Sequence, residues 1–349
     1  MRRVMKVAAL AVAGALALAA CGSSSSSGGG AGTSGSPAAT SNIKVGLAYD
    51  VGGRGDKSFN DAAAVGLDKA KTDFGIQTKE LSAVVGETDA QKEERLRLLA
   101  AGGYNPVIAV GFAYATATKK VAAEYPKVNF AIIDDSSFSA KNVANLVFAE
   151  NEGSYLVGVI AAQASKTGNI GYIGGVLTPL LQKFEAGYTA GAKSINPSIK
   201  VQVKYLTQPP DFSGFNAPDK GQTAAQGMYD AGADVVFAAA GGSGSGVFKA
   251  AKASGKLAIG VDSDQYLTAS ADVKDVILTS MIKRVDTAVY NFIKSAVDGS
   301  PLTGVQTFDL KKDGVGYSKS NSAVQPYEAK ADAAAEQIKS GAITVPTTP

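Results

Sequence analysis

Short apolar segments alternate with longer amphipathic segments along the chain from residue 43 onward. The first apolar segment, 43–49, contains β-branched residues and ends in a polar loop, which is typical of a buried strand. The next segment, 58–74, repeats apolar residues at helical spacing and predicts a helix. The same patterns predict further strands at 106–110, 129–133, 143–148, 169–173, 201–206, 235–239, 257–261 and 277–280, and further helices at 88–101, 115–125, 152–166, 180–194, 220–231, 246–253, 284–297 and 328–339.

The order of these segments predicts the fold class. Strands that alternate with helices favour an α/β fold whose parallel sheets are covered by helices on both faces. About 300 residues exceed one hydrophobic core, and the pattern restarts near residue 150, so we expect two lobes. An α/β barrel is the alternative architecture. Its eight units would be more even in length, and the stretch 208–217 interrupts them.

The first 21 residues have the pattern of an export signal. Arg2, Arg3 and Lys6 precede an apolar run, 7–18, which is too short to span a membrane and suits a signal peptide. The run ends in Leu-Ala-Ala-Cys21, which resembles the bacterial lipobox. We therefore expect a signal peptide at 1–20, a lipid on Cys21 and a flexible Ser/Gly tether at 21–42. An ordinary secretory signal and a cytosolic protein with an apolar N-terminus are the alternatives.

Composition narrows the possible chemistry. The chain of 349 residues has no His and one Cys, which removes His-dependent nucleophiles and cysteine-based zinc patterns. Removing the three signal-peptide cations from the 34 basic residues leaves 31, equal to the 31 acidic ones. A formally neutral chain lacks the basic stripe of a nucleic-acid-binding protein. We expect no enzyme activity, cofactor, metal or nucleic-acid partner.

Ligands of open α/β sheets bind beyond the carboxyl ends of the strands, so the residues that follow each strand are the candidates. After the first strand, Phe59 and Asn60 open a helix whose N-terminal N–H groups are expected to be free. A glycine-rich turn, 241–246, follows a later strand. Asp262 and Lys283 follow two more. The structural alternatives are core packing of Phe59, a plain turn, helix capping by Asp262 and a solvated Lys283.

Several blocks in this order resemble the basic membrane protein family of bacterial lipoproteins. The blocks include VGLAYDVGGRGDKSFNDAAAVGL from residue 45, FAENEGSYLVGVIAA from 148 and GVDSDQ from 260. Members of that family include purine nucleoside receptors of ABC importers. The resemblance implies a type I periplasmic-binding-protein fold with two Rossmann-like lobes joined by crossover strands. Its N-terminal lobe would comprise 43–148 plus 280–303 and its C-terminal lobe 149–279 plus 304–349.

The resemblance also implies a ligand site. Phe59 and Phe237 would sandwich the base, Asn60 would hydrogen-bond it, and Asp262 would hold the ribose hydroxyls. Lys283 would contact the sugar. Thr116 stands where the family commonly has a base-reading Asp. The complete set of implied ligand-binding residues is Asp50, Ser58, Phe59, Asn60, Phe112, Thr116, Phe237, Gly242, Asp262 and Lys283.

The predicted function is a lipid-anchored receptor on the extracytoplasmic face of the cell membrane. It would be a monomer that binds a nucleoside, preferably a purine nucleoside, and delivers it to the permease and ATPase of an ABC importer. Two alternatives keep the same fold. One binds a free sugar such as a pentose, and the other is a surface sensor or adhesin without a role in transport.

Overall fold

Strands and helices alternate through residues 42–349, the part of the chain that the computed structural model describes. The strands are β1 (Lys44–Ala48), β2 (Gln77–Leu81), β3 (Val107–Ala109), β4 (Phe130–Ile133), β5 (Val143–Phe148), β6 (Asn169–Val176), β7 (Lys200–Thr207), β8 (Val235–Ala239), β9 (Leu257–Asp262), β10 (Ile277–Lys283), β11 (Gly304–Phe308) and β12 (Val315–Tyr317). The helices are α1 (Phe59–Phe74), α2 (Asp89–Ala101), α3 (Ala115–Glu124), α4 (Glu150–Ala164), α5 (Pro179–Ile195), α6 (Pro218–Asp230), α7 (Gly244–Ser254), α8 (Gln265–Thr268), α9 (Val285–Val297) and α10 (Gln325–Ser340).

Local sequence signals explain where several helices begin and end. At the start of α2 the Thr88 hydroxyl accepts from the Gln91 N–H, and the Gln91 side chain accepts from the Thr88 N–H at 2.8 Å. This reciprocal pair satisfies two N–H groups that a helix terminus leaves free. Helix α1 ends at Gly75, whose φ of 63° is easiest for glycine. These signals place both helices within one residue of their predicted bounds.

The twelve strands form two six-stranded sheets. The first sheet has the order β11-β5-β4-β3-β1-β2 and is entirely parallel. The second has the order β12-β10-β9-β8-β6-β7, and β12 alone runs antiparallel to its neighbour. The predicted α/β class with parallel sheets is therefore confirmed. The barrel alternative is wrong, because the described strands form two open sheets.

Strand pairing differs from the predicted lobe boundaries in the last third of the chain. Strand β10 pairs with β9 through 283, so it belongs to the second sheet, although residues from 280 onward were expected in the N-terminal lobe. Strand β11 pairs with β5 of the first sheet, although 304–308 was expected in the C-terminal lobe. The chain thus leaves the second sheet after Lys283, at the end of β10, whereas the predicted boundary fell at residue 280.

The hydrophobic core lies on both faces of each sheet. Every residue of β3, β4 and β8 is buried, as expected for parallel strands covered by helices on both sides. Their polar connections therefore gather at the strand ends, where the candidate site lies. Among residues 42–349, the helices lack the length and apolarity needed to cross a membrane.

Candidate functional site

A cavity lies where the carboxyl ends of strands from both sheets meet, and its empty volume, counted together with the space open to solvent, is about 540 Å³. Asp50, Phe112 and Asp134 follow β1, β3 and β4 of the first sheet, whereas Asp262 and Lys283 end β9 and β10 of the second. The lining residues are Asp50, Val51, Asp56, Phe59, Asn60, Phe112, Asp134, Leu180, Leu181, Phe184, Phe215, Ala239, Gly241, Val261, Asp262 and Lys283. The cavity combines aromatic rings with several carboxylates and one ammonium group.

Most of the sequence-predicted site residues are brought together here. The cavity is lined by Asp50, Phe59, Asn60, Phe112, Asp262 and Lys283. Ser58 is fully buried beside it and donates a hydrogen bond from its hydroxyl to Asp262 Oδ2 at 2.7 Å. Six of the predicted residues thus line one cavity, and a seventh, Ser58, donates a hydrogen bond to the Asp262 carboxylate of that cavity.

Three predicted residues lie elsewhere. Phe237 is fully buried in the core, where its ring packs against Tyr172 and Tyr188 with centroids 5.7 and 5.3 Å away. Thr116 is exposed on α3 and does not line the cavity. Gly242 lines a neighbouring outer pocket that also includes Lys57 and Gln265. Phe237 is therefore not positioned to sandwich a ligand in this cavity.

Phe184 and Phe215 line the cavity in place of Phe237. Both belong to the half of the molecule that is built on the second sheet, here called the second half, and the first half is built on the first sheet. Phe215 lies over the end of β6, where a Cβ added to Gly175 would come within 2.5 Å of its ring, so only glycine leaves room for it. Phe112 of the first half meets Phe215 edge-on, with ring centroids 6.4 Å apart. No periodic pattern marks Phe215 in the sequence, because it lies in the irregular stretch 208–217 that interrupts the alternation.

Asp56 caps the helix that opens after the first strand. Its carboxylate accepts the backbone N–H groups of Ser58, Asn60 and Asp61 at 2.9–3.1 Å. The N-terminal N–H groups of α1 that were expected to be free are therefore satisfied by a side chain of the same loop. Asp56 was missed because it stands before the predicted helix, although an acidic residue there is a common capping signal.

The Asn60 side chain is also engaged within its own loop. Its Oδ1 accepts the Asp50 N–H at 2.9 Å, while its Nδ2 donates to Asp56 Oδ2 at 2.9 Å and to the Val51 carbonyl at 3.3 Å. These three bonds fix the shape of the loop around the cavity.

Asp50 is held against a glycine turn. A Cβ on Gly111 would lie 2.3 Å from Asp50 Oδ2, and Gly111 has a φ of 104° that favours glycine. Burial raises the pKa of Asp50 to about 6, although a hydrogen bond from the Val51 N–H opposes the shift. The turn thus brings a buried carboxylate next to Phe112 at one end of the cavity.

Lys283 is the centre of a buried ion cluster. Its ammonium lies 2.6 Å from Asp134 Oδ2 and 3.3 Å from Glu150 Oε1, and each of the three side chains is at most 5% exposed. The ammonium also lies 5.0 Å from the ring centroids of Phe59 and Phe148. Burial alone would lower the pKa of Lys283. The surrounding carboxylates raise this pKa by more than burial lowers it, so the net shift is upward and the ammonium stays charged.

Two oxygens of this cluster have no hydrogen-bond partner within residues 42–349. They are Asp134 Oδ1 and Glu150 Oε2, and both are buried. Burial raises the pKa of Asp134, and the nearby Glu150 charge adds to the rise while Lys283 opposes it. Because buried polar atoms in proteins are nearly always paired, an unpaired Asp134 oxygen at the cavity wall indicates a place for a ligand donor.

Asp134 was not predicted, although it follows β4 directly. The rule that selected the other candidates, polar residues at strand ends, applies equally to this position. Its backbone has a φ of 67°, a left-handed conformation that Asp tolerates better than most residues. Asp262 has the same conformation, with a φ of 63°. The cavity therefore has two carboxylates set by unusual backbone geometry.

Asp262 lines the same cavity, and its carboxylate, like that of Asp134, feels the charge of Lys283. Burial raises its pKa to about 6, opposed by the Lys283 charge and by the hydrogen bond from Ser58. That bond occupies Oδ2, and Oδ1 takes no hydrogen bond from the described residues. Within the same range, no cluster of three or more acidic, His or Cys side chains has the geometry to hold a metal ion.

Comparison with known proteins gives these residues a family context. Residues 43–348 match the Bmp family, described as PnrA-like substrate-binding proteins of ABC transporters. The chain belongs to this family. The resemblance noted in the sequence is thereby confirmed over nearly all of the described chain. The expectation that the protein is not an enzyme is confirmed as well, because the family consists of substrate-binding proteins.

Relatives in several organisms share about a third of their residues with this family member. The ABC transporter nucleoside-binding protein BmpA of Lactococcus lactis is 36% identical, with 99% of each chain covered. The CD4+ T-cell-stimulating antigen of Listeria innocua is 36% identical over 90% of this chain and 91% of its own. An uncharacterized lipoprotein of Pyrococcus horikoshii is 36% identical over 79% of this chain and 69% of its own.

Solved structures confirm the predicted type I periplasmic-binding-protein fold. A solute-binding protein of an ABC transporter from Aeropyrum pernix has a TM-score of 0.76 at 28% identity, with 87% of this chain and 93% of that chain covered. A second one, from Conexibacter woesei, has a TM-score of 0.71 at 25% identity, covering 87% and 99%. The cavity therefore lies in a substrate-binding protein of an ABC transporter.

Proposed function

We propose that this substrate-binding protein captures a nucleoside in the cavity between its two sheets and delivers it to an ABC importer. The observation that carries the proposal is the unpaired, buried Asp134 Oδ1 beside Lys283, with the free oxygen of Asp262 in the same cavity. Two carboxylates that face an aromatic cavity suit a ligand with neighbouring hydroxyl groups and a flat ring. The name of the Lactococcus lactis relative supports the same ligand class.

Phe59, Phe112, Phe184 and Phe215 form the apolar side of the cavity and would pack against the base. Offset or edge-on contacts with such rings contribute about 0.5–1.5 kcal/mol each beyond burial. Thr116, which stands at the position expected to read the base, is exposed on α3 and does not line the cavity. Asp50, next to Phe112, would therefore supply the carboxylate that hydrogen-bonds the base. A base with ring N–H donors suits that carboxylate, which favours a purine such as guanine or hypoxanthine.

The two sheets with their helices would act as lobes that close on the ligand, as hinge-type receptors do. The chain crosses from one lobe to the other directly after Lys283, the residue that would touch the sugar. Lobe closure and sugar contact would therefore be coupled at this position. The ligand would be taken up outside the cytoplasm and passed to a permease and ATPase.

Lipid attachment at Cys21 would hold the protein at the membrane surface. Cys21 and the predicted tether lie outside the described residues, so the proposal depends on the sequence pattern and on the lipoprotein relatives of Pyrococcus. Metabolic labelling with a fatty acid should label the wild-type protein and not a Cys21→Ser variant. An equally labelled variant would exclude Cys21 as the attachment site.

Ligand identity is tested by isothermal titration of the full-length chain in detergent with adenosine, inosine, guanosine and uridine. We expect binding of at least one purine nucleoside, and free ribose should not compete. Silence with all four nucleosides would overturn the proposal, and competition by ribose would favour the pentose alternative.

Asp262→Ala tests the sugar contact. It should lower nucleoside affinity at least about tenfold, because it leaves ribose hydroxyls without an acceptor. Asp272→Ala, at an exposed carboxylate of the same half, is the matched control and should leave the affinity unchanged. Equal affinities for the two variants would remove Asp262 from the site.

A further inference from the structure

Two short segments from opposite halves of the fold are joined directly by hydrogen bonds. One is the turn Lys57–Ser58, which precedes α1 beside the first sheet. The other is 261–265, which runs from the end of β9 in the second sheet to the start of α8. Four hydrogen bonds cross between them: Ser58 Oγ to Asp262 Oδ2 at 2.7 Å and to the Val261 carbonyl at 3.3 Å, Ser263 Oγ to the Ser58 carbonyl at 3.0 Å, and Gln265 Nε2 to the Lys57 carbonyl at 3.1 Å. These bonds need no ligand.

Gln265 has a side chain that serves both halves. Its Oε1 accepts the N–H of Val261 in its own half at 2.9 Å, while its Nε2 donates across to Lys57. The residue is 3% exposed and lines the outer pocket rather than the ligand cavity. A Cβ on Gly260 would lie 2.6 Å from Gln265 Oε1, so the glycine makes room for this arrangement. Gln265 is thus fixed firmly in its own half and presents one donor to the other.

The crossing bonds end on backbone with unusual geometry. Lys57 has a φ of 54° and Asp262 a φ of 63°, a region that residues other than glycine rarely adopt. Such a conformation persists when surrounding contacts determine it. Ser58 and Gln265 bond to these two residues directly. The contacts between the halves therefore also set the direction of the Asp262 carboxylate.

We propose that Gln265 and Ser263 are positioning residues that clasp the two halves together and thereby orient Asp262, without touching the ligand. The proposal rests on the proposed function where it concerns ligand affinity. The clasp joins the two halves through direct hydrogen bonds, so it stabilises the arrangement in which they meet and slows ligand release. Affinity is then set partly by residues outside the cavity, mainly through the dissociation rate.

Gln265→Glu breaks the crossing bond selectively. The carboxylate retains an oxygen for the Val261 N–H but replaces the donor that faces the Lys57 carbonyl. Stopped-flow binding of guanosine or inosine should show a dissociation rate about three- to tenfold higher, the range expected for one lost hydrogen bond, with little change in the association rate. Ser263→Ala should act in the same direction. Unchanged dissociation rates in both variants would overturn the proposal.

Ser245→Ala is the matched control, because Ser245 lines the same outer pocket but donates only to the Gly242 carbonyl in its own half. Its dissociation rate should equal that of the wild type. A general loss of stability would lower the melting temperature of a variant without raising its dissociation rate, so the two measurements separate a clasp from a merely structural role.

Small-angle X-ray scattering of the ligand-free protein gives a readout that is independent of ligand identity. The radius of gyration should be larger for Gln265→Glu than for the wild type and for Ser245→Ala. Equal values for all three proteins would overturn the clasp. If none of the nucleosides binds but the scattering difference is found, the clasp stands and the proposed ligand is wrong.

Discussion

The Asp50–Asn60 loop and the ion cluster around Lys283 both line the ligand cavity, but their polar groups are used differently. In the loop, Asn60 and Asp56 direct their side-chain oxygens and nitrogen to the loop's own backbone and to each other. In the cluster, Asp134 Oδ1 is buried and takes no hydrogen bond from the described residues, and Glu150 Oε2 has only an ion pair with Lys183 at 3.5 Å.

This difference separates residues that shape the cavity from residues that read the ligand. A satisfied side chain such as Asn60 gains nothing by turning to a ligand unless it gives up an existing bond. An unsatisfied buried oxygen costs the free protein about 1–3 kcal/mol, which a ligand hydroxyl would recover. Affinity should therefore depend more strongly on the cluster than on Asn60 and Asp56, the loop side chains whose polar atoms are already bonded.

The largest expected effect comes from Lys283→Met, which removes the buried cation that pairs with both Asp134 and Glu150. Asp134 would then lose its ion-pair partner, and Glu150 would keep only the partly exposed Lys183 at 3.5 Å. Breaking a buried pair by removing one partner typically costs about 3–5 kcal/mol of folding free energy. Nucleoside affinity should fall about 100-fold, measured by isothermal titration, and urea denaturation should show the lost stability.

Lys294→Met is the control for that substitution. Lys294 forms a solvent-exposed pair with Asp298 on α9, so its removal should leave both affinity and stability unchanged. If Lys283→Met behaved like this control, the cluster would have no special role and the comparison with the loop would fail.

A smaller effect is expected from pH, since the cluster side of the cavity titrates. Asp262, with a pKa of about 6, must be ionised to accept hydrogen bonds from ligand hydroxyls. Lowering the pH from 7 to 5 should therefore weaken nucleoside binding at least about tenfold, the effect of one required ionisation, because burial raises the pKa values of Asp50 and Asp134 as well. Titration calorimetry at several pH values measures this, and Asp262→Asn should flatten the profile. A steep profile in that variant would assign the titration to another group.

The same carboxylates should affect the stability of the ligand-free protein with the opposite sign. The pKa values of Asp50 and Asp262 are raised from near 4 to about 6, so the folded state holds their protons more tightly than the unfolded chain. Their contribution to stability is complete below about pH 4 and is lost as the pH rises through 6. As the pH rises through about 6, nucleoside binding should thus become stronger while the contribution of Asp50 and Asp262 to the stability of the ligand-free protein is lost.

Most of the fold could be predicted from the sequence because the central strands are continuous apolar runs. The strands that sequence patterns missed, β2, β11 and β12, all lie at sheet edges. Edge strands are covered less completely, and the residues of β2 are half-buried or exposed throughout, so their composition is polar and gives no apolar run. The predicted lobe boundary at 304 differs from the strand pairing for the same reason, since β11 is an edge strand that pairs with β5 of the first sheet.

The candidate site was predictable where it follows strand ends, and less so elsewhere. Phe237 was carried over from the family resemblance but lies in the core; because every residue of β8 is buried, the pattern along the strand does not show which side chains face the core. Phe215 could not be found, because it depends on how an irregular loop folds over the end of β6. Glu150 acts through a contact with Lys283 that is distant in sequence.

The smallest expected effect distinguishes the two aromatic positions. Phe215→Ala should lower nucleoside affinity about three- to tenfold, as expected for one lost aromatic contact, and cost little stability because the ring is only partly buried. Phe237→Ala removes a ring from the fully buried core, so it should cost about 3–5 kcal/mol of unfolding free energy and leave the affinity of the folded protein nearly unchanged. Parallel titration calorimetry and urea denaturation of both variants measure this. The reverse result would place Phe237 at the ligand and Phe215 in a purely structural role, because each ring can lose only the contacts that it makes.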